Sequence, residues 1–192
     1  HALIHQHYTE TYRLHCPRSF SKKAIKWFLD DLAGNETTLS SSITRRLRRL
    51  LFIEEQIYVI SKDVGAIGQT SKEALALSTI HGCGMVTACG IVSEVITVKR
   101  FKDKHHFSMY AGVAPTPHSS GRKNKMHTNP FGNRRLNKAL HVIALSQIAI
   151  KGDPTGKQYY AKKLKEGKTK LWALRCLKHQ IAKVVYQKLK YA

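Results

Sequence analysis

Seven apolar residues, Ile43, Leu47, Leu50, Ile53, Ile57, Ile60 and Val64, recur at steps of three and four. At 3.6 residues per turn they fall on one face of a helix about six turns long. No strand pairing can use that spacing, because a strand alternates every second residue. The Ser40-Ser41-Ser42 cluster opens this segment, and Gly65 and Gly68 close it. Arg45, Arg46, Arg48 and Arg49 lie off the apolar face. Such a face must be covered, and two arrangements cover it. One is a helical hairpin or bundle; the other is a dimerising or domain-linking coiled coil.

The rest of the chain follows the same helical logic. Leu174, Leu177, Ile181, Val184 and Leu189 give a closing helix over about 169–190, with Lys178, Lys183, Lys188 and Lys190 on its basic surface. Helices are also expected from a cap at Ser19 or Ser21 to Leu32, over about 134–150, and over about 155–165 after Gly152-Asp153-Pro154. From Ala74 to about Ala111 short helices alternate with glycine turns. Residues 112–132 are rich in Pro, Gly, Ser, Lys and His and read as a long loop, of the kind that usually carries function. The run Val95 to Val98 is the one candidate strand. The expectation is an all-α fold in two parts: a helical hairpin or coiled-coil region over 1–70, then a compact helical domain over 71–192.

Charge narrows the function. Lys and Arg number 33 against 12 Asp and Glu, a formal net charge of +21. Self-repulsion at that imbalance opposes compaction, so a polyanionic partner is expected. The basic residues run from Arg13 to Lys190 rather than along one amphipathic helix, which favours nucleic acid over a membrane surface. No stretch has the apolar length of a membrane span, and no signal peptide is visible. A chain beginning at His1 is expected to be a fragment or a processed product. Cys16, Cys83, Cys89 and Cys176 are scattered, with no CxxC pair, and read as reduced, intracellular thiols rather than a zinc site.

Three segments carry candidate chemistry. The first is Leu77 to Ile91, centred on Ile80-His81-Gly82-Cys83-Gly84. It resembles a helix-hairpin-helix motif. Gly82 and Gly84 permit a tight turn, and the free N–H groups of the following helix offer a seat for a phosphate. Ala88 lets the two helices approach. The plain alternative is a packing hairpin without a ligand.

The second is Phe107 to Lys123, in which a serine precedes glycine among basic residues. A serine hydroxyl is a weak nucleophile until activated. His118 is a candidate base, and Arg122, Lys123 and Lys125 are candidates to neutralise charge developing on a phosphate. The plain alternative is a flexible polar loop. The third is Asn129 to Leu140. Gly132-Asn133 reads as a turn and N-cap, and Arg134 and Arg135 follow in the first helical turn. Cations there oppose the helix dipole at a cost of roughly 0.3–1 kcal/mol each, which suggests that they face a phosphate.

The acidic residues offer no converging set for a two-metal nuclease. Asp30-Asp31 and Glu54-Glu55 are adjacent pairs, and Glu94, Asp103 and Asp153 stand alone. No metal site is expected in the chain.

Taken in order, these marks resemble the C-terminal half of the IS-one-ten family of insertion-sequence transposases, related to the Piv/MooV DNA invertases. The resemblance covers about 74–192. It rests on Ile80 to Gly84, Arg100-Phe101, Tyr110-Ala111-Gly112-Val113-Ala114-Pro115, Ser119-Ser120-Gly121 and Gly132-Asn133-Arg134-Arg135-Leu136. Asp153-Pro154, Gly167-Lys168 and Val184-Val185-Tyr186 complete it. Residues 39–66 look like the family's coiled coil. The resemblance implies a serine that attacks a DNA phosphodiester and becomes covalently linked to it. Carried onto this chain, that serine is Ser120, with Ser119 as the alternative. It also implies a magnesium-binding acidic domain of RuvC type that this chain lacks, DNA and a guide RNA as partners, and self-association through the coiled coil. The location implied is a bacterial or archaeal cytoplasm, at the nucleoid. A rival reading is a non-catalytic helical module that binds DNA or RNA.

Overall fold

The computed structural model describes residues 22–32, 38–120, 123–128, 131–149 and 151–192, with backbone alone at 22–23, 116–120 and 123–128. Cys16 and the expected caps Ser19 and Ser21 lie outside the described residues. The contacts fall into two units that meet at 61/62, inside the long helix.

The first unit contains α1 (Lys22–Leu32) and most of α2 (Thr38–Gly68). Ala24, Ile25, Phe28 and Leu32 of α1 form a small core with Ile43 and Leu47 of α2. Burying each large apolar side chain contributes about 1.5–3 kcal/mol. Trp27 meets Phe28 edge-on at 5.1 Å. Leu50 packs half-buried against this core, and beyond it the stripe of α2 opens, with Ile53, Ile57 and Ile60 at 46%, 58% and 58% exposed before the half-buried Val64. Gly65 does not stop the helix, which runs on to Gly68.

The second unit is built around α8 (Lys170–Lys190), which touches α3 (Lys72–Ser78), α5 (Lys104–Tyr110), α6 (Arg134–Ile148) and α7 (Pro154–Lys165). A further helix, α4 (Met85–Val95), packs on α3 and α6. Leu177, Ile181, Val185 and Leu189 of α8 join Leu77, Ile91, Phe107, Leu136, Leu140 and Ile143 in one core. Val184 is 41% exposed and Val185 is fully buried. Spacing admits either of these neighbours to the apolar face, and packing selects the second. Phe107 ties α5 to α8 through Tyr186, with ring centroids 5.8 Å apart.

Local caps set the boundaries. Asn133 caps α6 by accepting from the Leu136 amide at 2.9 Å. Asp153 caps α7 by accepting from the Gly156 amide at 2.7 Å, with Pro154 in the first turn, where its missing N–H costs nothing. Thr169 caps α8.

Helices dominate as expected, but several details differ from the sequence reading. The serine cluster does not open α2: the helix begins at Thr38, and Ser40, Ser41 and Ser42 already lie inside it. Residues 95–98 form no strand: α4 ends at Val95, and a 3₁₀ turn covers Val98–Arg100. Instead, part of the expected loop is an antiparallel hairpin of β1 (Pro115–Ser120) and β2 (Lys123–Thr128). Its prolines and lysines have low strand propensity, so pairing within the ribbon is what orders it. Among the described residues no helix is long and apolar enough to cross a membrane.

Candidate functional site

The turn between α3 and α4 is fixed from both sides. Ser71 caps α3 by accepting from the Ala74 amide. The chain then turns through Cys83, whose N–H donates to the Ile80 carbonyl at 2.9 Å. Gly82 has φ +85°, and a Cβ there would lie 2.7 Å from the Ser146 Cβ. This glycine is required both by its backbone conformation and by the approach of α6. Gln147 Nε2 donates to the His81 carbonyl at 3.1 Å, a second tie to α6. Gly84 is different. Its φ is −67°, an ordinary extended value, and nothing lies within 4 Å of a Cβ built there. The expected special dihedral therefore belongs to Gly82 alone. Gly84 is the N-cap of α4 and supplies no side-chain hydrogen bond to the first amides of that helix.

The base of the serine hairpin is clamped more tightly than the sequence indicates. Gly112, at φ +65°, and Gly132 face each other across it. A Cβ on Gly132 would fall 2.2 Å from the Gly112 Cα, so the two strand approaches touch backbone to backbone. The Asn133 amide donates to the Tyr110 carbonyl at 2.7 Å. Asn137 Nδ2 donates to the carbonyls of Ala111 and Gly112, both at 3.0 Å. Asn137 Oδ1 accepts from Lys178 Nζ at 2.9 Å. Lys178, assigned by periodicity to the basic surface, is thus half-buried structure, and burial, then Arg175, lowers its pKa.

Glu94 joins these parts. It was expected to stand alone, yet its carboxylate accepts from Asn133 Nδ2 at 2.7 Å and from Arg135 at 3.2 Å. Asn133 Nδ2 also donates to the Tyr110 hydroxyl at 3.0 Å. The Asn133 bond, then the Arg135 bond, hold the Glu94 carboxyl below its ordinary range. Arg100 donates to the Glu94 main-chain carbonyl at 3.2 Å and stacks on Tyr110, 4.4 Å from its ring centre. Arg134 and Arg135, paired in the sequence reading, are therefore separated. Glu94 offsets the dipole penalty at Arg135, while Arg134 is exposed.

The hairpin register distinguishes the two serines. Ser120 is opposite Lys123, Ser119 opposite Asn124, and His118 opposite Lys125. Directly opposed residues share a face, and alternate residues along a strand share it too. Positions 118, 120, 123 and 125 thus fall on one face of the ribbon, and 119 and 124 on the other. Arg122 lies outside the described residues.

Among the described residues no three His, Cys, Asp or Glu side chains are grouped so as to hold a metal ion. Cys83 is buried, and burial, then Cys89, pushes its thiol up to about 11, far from a reactive thiolate. Sequence reasoning missed Glu94, Asn137 and Lys178. Their partners lie 39, 26 and 41 residues away respectively, beyond any local pattern.

Residues 74–161, which include the turn, the clamp and the hairpin, match the family described as Transposase IS116/IS110/IS902 family. The chain is similar to an uncharacterized 43.6 kDa protein of insertion element IS110 from Streptomyces coelicolor, with 29% identity over 80% of this chain and 36% of that protein. It is also similar to an uncharacterized 44.8 kDa protein of insertion element IS116 from Streptomyces clavuligerus, with 28% identity over 74% of this chain and 35% of that protein. The chain spans about a third of the length of the curated relatives it matches.

Proposed function

We propose that this chain is the nucleic-acid-binding C-terminal part of an IS110-type transposase, with Ser120 as the nucleophile of DNA strand exchange. The observation that carries the reading is the family match over 74–161, which contains the serine hairpin. The net charge of +21 supports a nucleic-acid partner independently.

In this reading the Ser120 oxygen attacks the phosphorus of a DNA phosphodiester. A serine–phosphorus bond forms as the bond to the leaving DNA oxygen breaks. His118, on the same face by register, accepts the serine proton, and the leaving oxygen takes up a proton in turn. Lys123 and Lys125 share that face, and Arg122 follows Gly121; they neutralise the charge developing on the phosphate. Ser119 is the alternative nucleophile, with Asn124 opposite it. The clamp of Glu94, Tyr110, Asn133 and Asn137 holds the hairpin at its base.

The turn at Gly82 and Gly84 acts as a helix-hairpin-helix element. The open α4 N-terminus at Gly84 receives a phosphate and reads no sequence. Arg134 is free to take another phosphate, and Arg135 does so only by sharing with Glu94. The bare stretch of α2 pairs with a second copy as a coiled coil. A guide RNA is a further partner, and the site of action is the cytoplasm, at the nucleoid. Magnesium belongs to an acidic domain beyond these residues. The described residues offer it no donor set, so no step here runs through it. By itself the chain binds nucleic acid and does not recombine it.

The test uses the full-length parent protein with magnesium, guide RNA and a labelled donor DNA. A denaturation-resistant protein–DNA adduct is expected, mapped to Ser120 by mass spectrometry and absent in Ser120→Ala. An adduct that survives Ser120→Ala and disappears in Ser119→Ala moves the nucleophile by one residue. Recombination without any adduct leaves the chain as a non-catalytic binding module.

A further inference from the structure

Where α4 stops, the backbone does something costly. Ile96 has φ 60° and ψ −63°. The Thr97 amide donates to the Val95 carbonyl at 2.7 Å. Together these close a γ-turn of the rare, strained hand. Among the described residues Ile96 is the one non-glycine with positive φ. A β-branched residue is the least suited to that region. Burial does not explain the choice, because Ile96 is 78% exposed. Glycine would make the same turn without strain. Strain retained at an exposed apolar side chain points to function at that side chain.

Its surroundings indicate what kind. Ile96 lines a cleft of about 570 Å³ with Lys99, Lys102 and Lys190, and Glu73 is the one acidic side chain in its lining. We propose that Ile96 is a wedge that enters between stacked base pairs of duplex DNA, while Lys99, Lys102 and Lys190 take the flanking phosphates. The inference rests on the nucleic-acid reading above and deepens it. An apolar side chain on a stiff turn, ringed by cations, is the chemistry by which proteins unstack a base step. A lipid surface would call for a broad exposed apolar face. The other large apolar side chains of this cleft, such as Val92, Val98 and Phe101, are half-buried or buried, and Ile96 alone among them stands exposed beside the lysines. A protein partner accounts for the isoleucine but not for the lysines.

The experiment uses the 192-residue chain and DNA duplexes carrying 2-aminopurine at successive steps, a base whose fluorescence rises on unstacking. The wild-type chain should produce a several-fold rise at one step. Ile96→Gly should abolish the rise while thermal stability holds or increases, because glycine relieves the strained turn. Ile96→Phe should keep the rise. Lys99→Ala and Lys102→Ala should each lower the salt dependence of binding by about one counterion. A rise that survives Ile96→Gly overturns the wedge. So does an Ile96→Gly variant with DNA signal intact and self-association lost, which would assign the side chain to a protein contact. Binding without any rise sinks the wedge alone; no binding to any duplex sinks the nucleic-acid reading as well.

Discussion

Helices α2 and α8 carry closely similar three-and-four spacing and differ in what covers it. Along α8, Leu177, Ile181, Val185 and Leu189 are at most 7% exposed. Along α2, Ile43 and Leu47 are 3% and 2% exposed, but Ile53, Ile57 and Ile60 stand between 46% and 58%. The residue types are alike, so the difference lies in the neighbours. Helix α8 meets four other helices, whereas α1 has 11 residues and covers only the start of the stripe. Periodicity therefore reports that a face is apolar, not that the fold covers it. Pairing with a second copy, the role proposed for this stretch, would cover it.

The comparison can be broken most directly in the α8 core. Leu177→Ala should destabilise the chain by about 2–5 kcal/mol in chemical denaturation, since a cavity opens among rigid neighbours. Ile57→Ala should change the stability of dilute protein by less than about 0.5 kcal/mol. An equal loss at both positions would mean that the α2 stripe is covered after all. The same contrast holds for the glycines. Gly82→Ala should cost about 1–3 kcal/mol, because it meets Ser146 and keeps a positive φ. Gly84→Ala, with open space around it, should stay within about 0.5 kcal/mol.

A smaller effect tests the hairpin clamp. Asn133→Ala removes the α6 cap and two side-chain bonds, and should cost about 1–2 kcal/mol. The pH dependence at Glu94 has a definite sign. Its folded pKa lies below the ordinary 4.5, so its stabilisation is present above pH 4.5 and is lost as pH falls through the lowered folded value. The stability gap between wild type and Glu94→Gln should shrink as pH falls below 4.5. A gap that is flat through that range would show that the carboxylate does not bear on folding. Smallest in stability, and distinct in readout, is Ile53→Glu with Ile57→Glu. The pair should lower the sedimenting mass at high concentration and leave helicity unchanged. An unchanged mass would remove the coiled-coil role.

The candidate site was legible in part. The Asn133 cap, the Asp153-Pro154 start of α7 and the turn at Gly82 each follow from a few adjacent residues. The hairpin was not legible, because Pro115, Pro117 and the lysines of β2 mask its pairing under loop composition. The faces of the two serines were not legible either: the register sets Ser120 opposite Lys123 and Ser119 opposite Asn124. Glu94 read as an isolated acid and proved to join Asn133, Arg135 and the base of the hairpin.

Local pattern was enough for most of the helices, the Asn133 cap and the excess of positive charge. Each of these is set by residues within about one turn of one another or by a simple sum. Packing settled which of Val184 and Val185 is inside, which glycine is indispensable, which arginine pairs with Glu94 and where the apolar stripe of α2 goes bare. Those outcomes depend on which distant surface arrives at a given residue, and local spacing carries no information about that arrival.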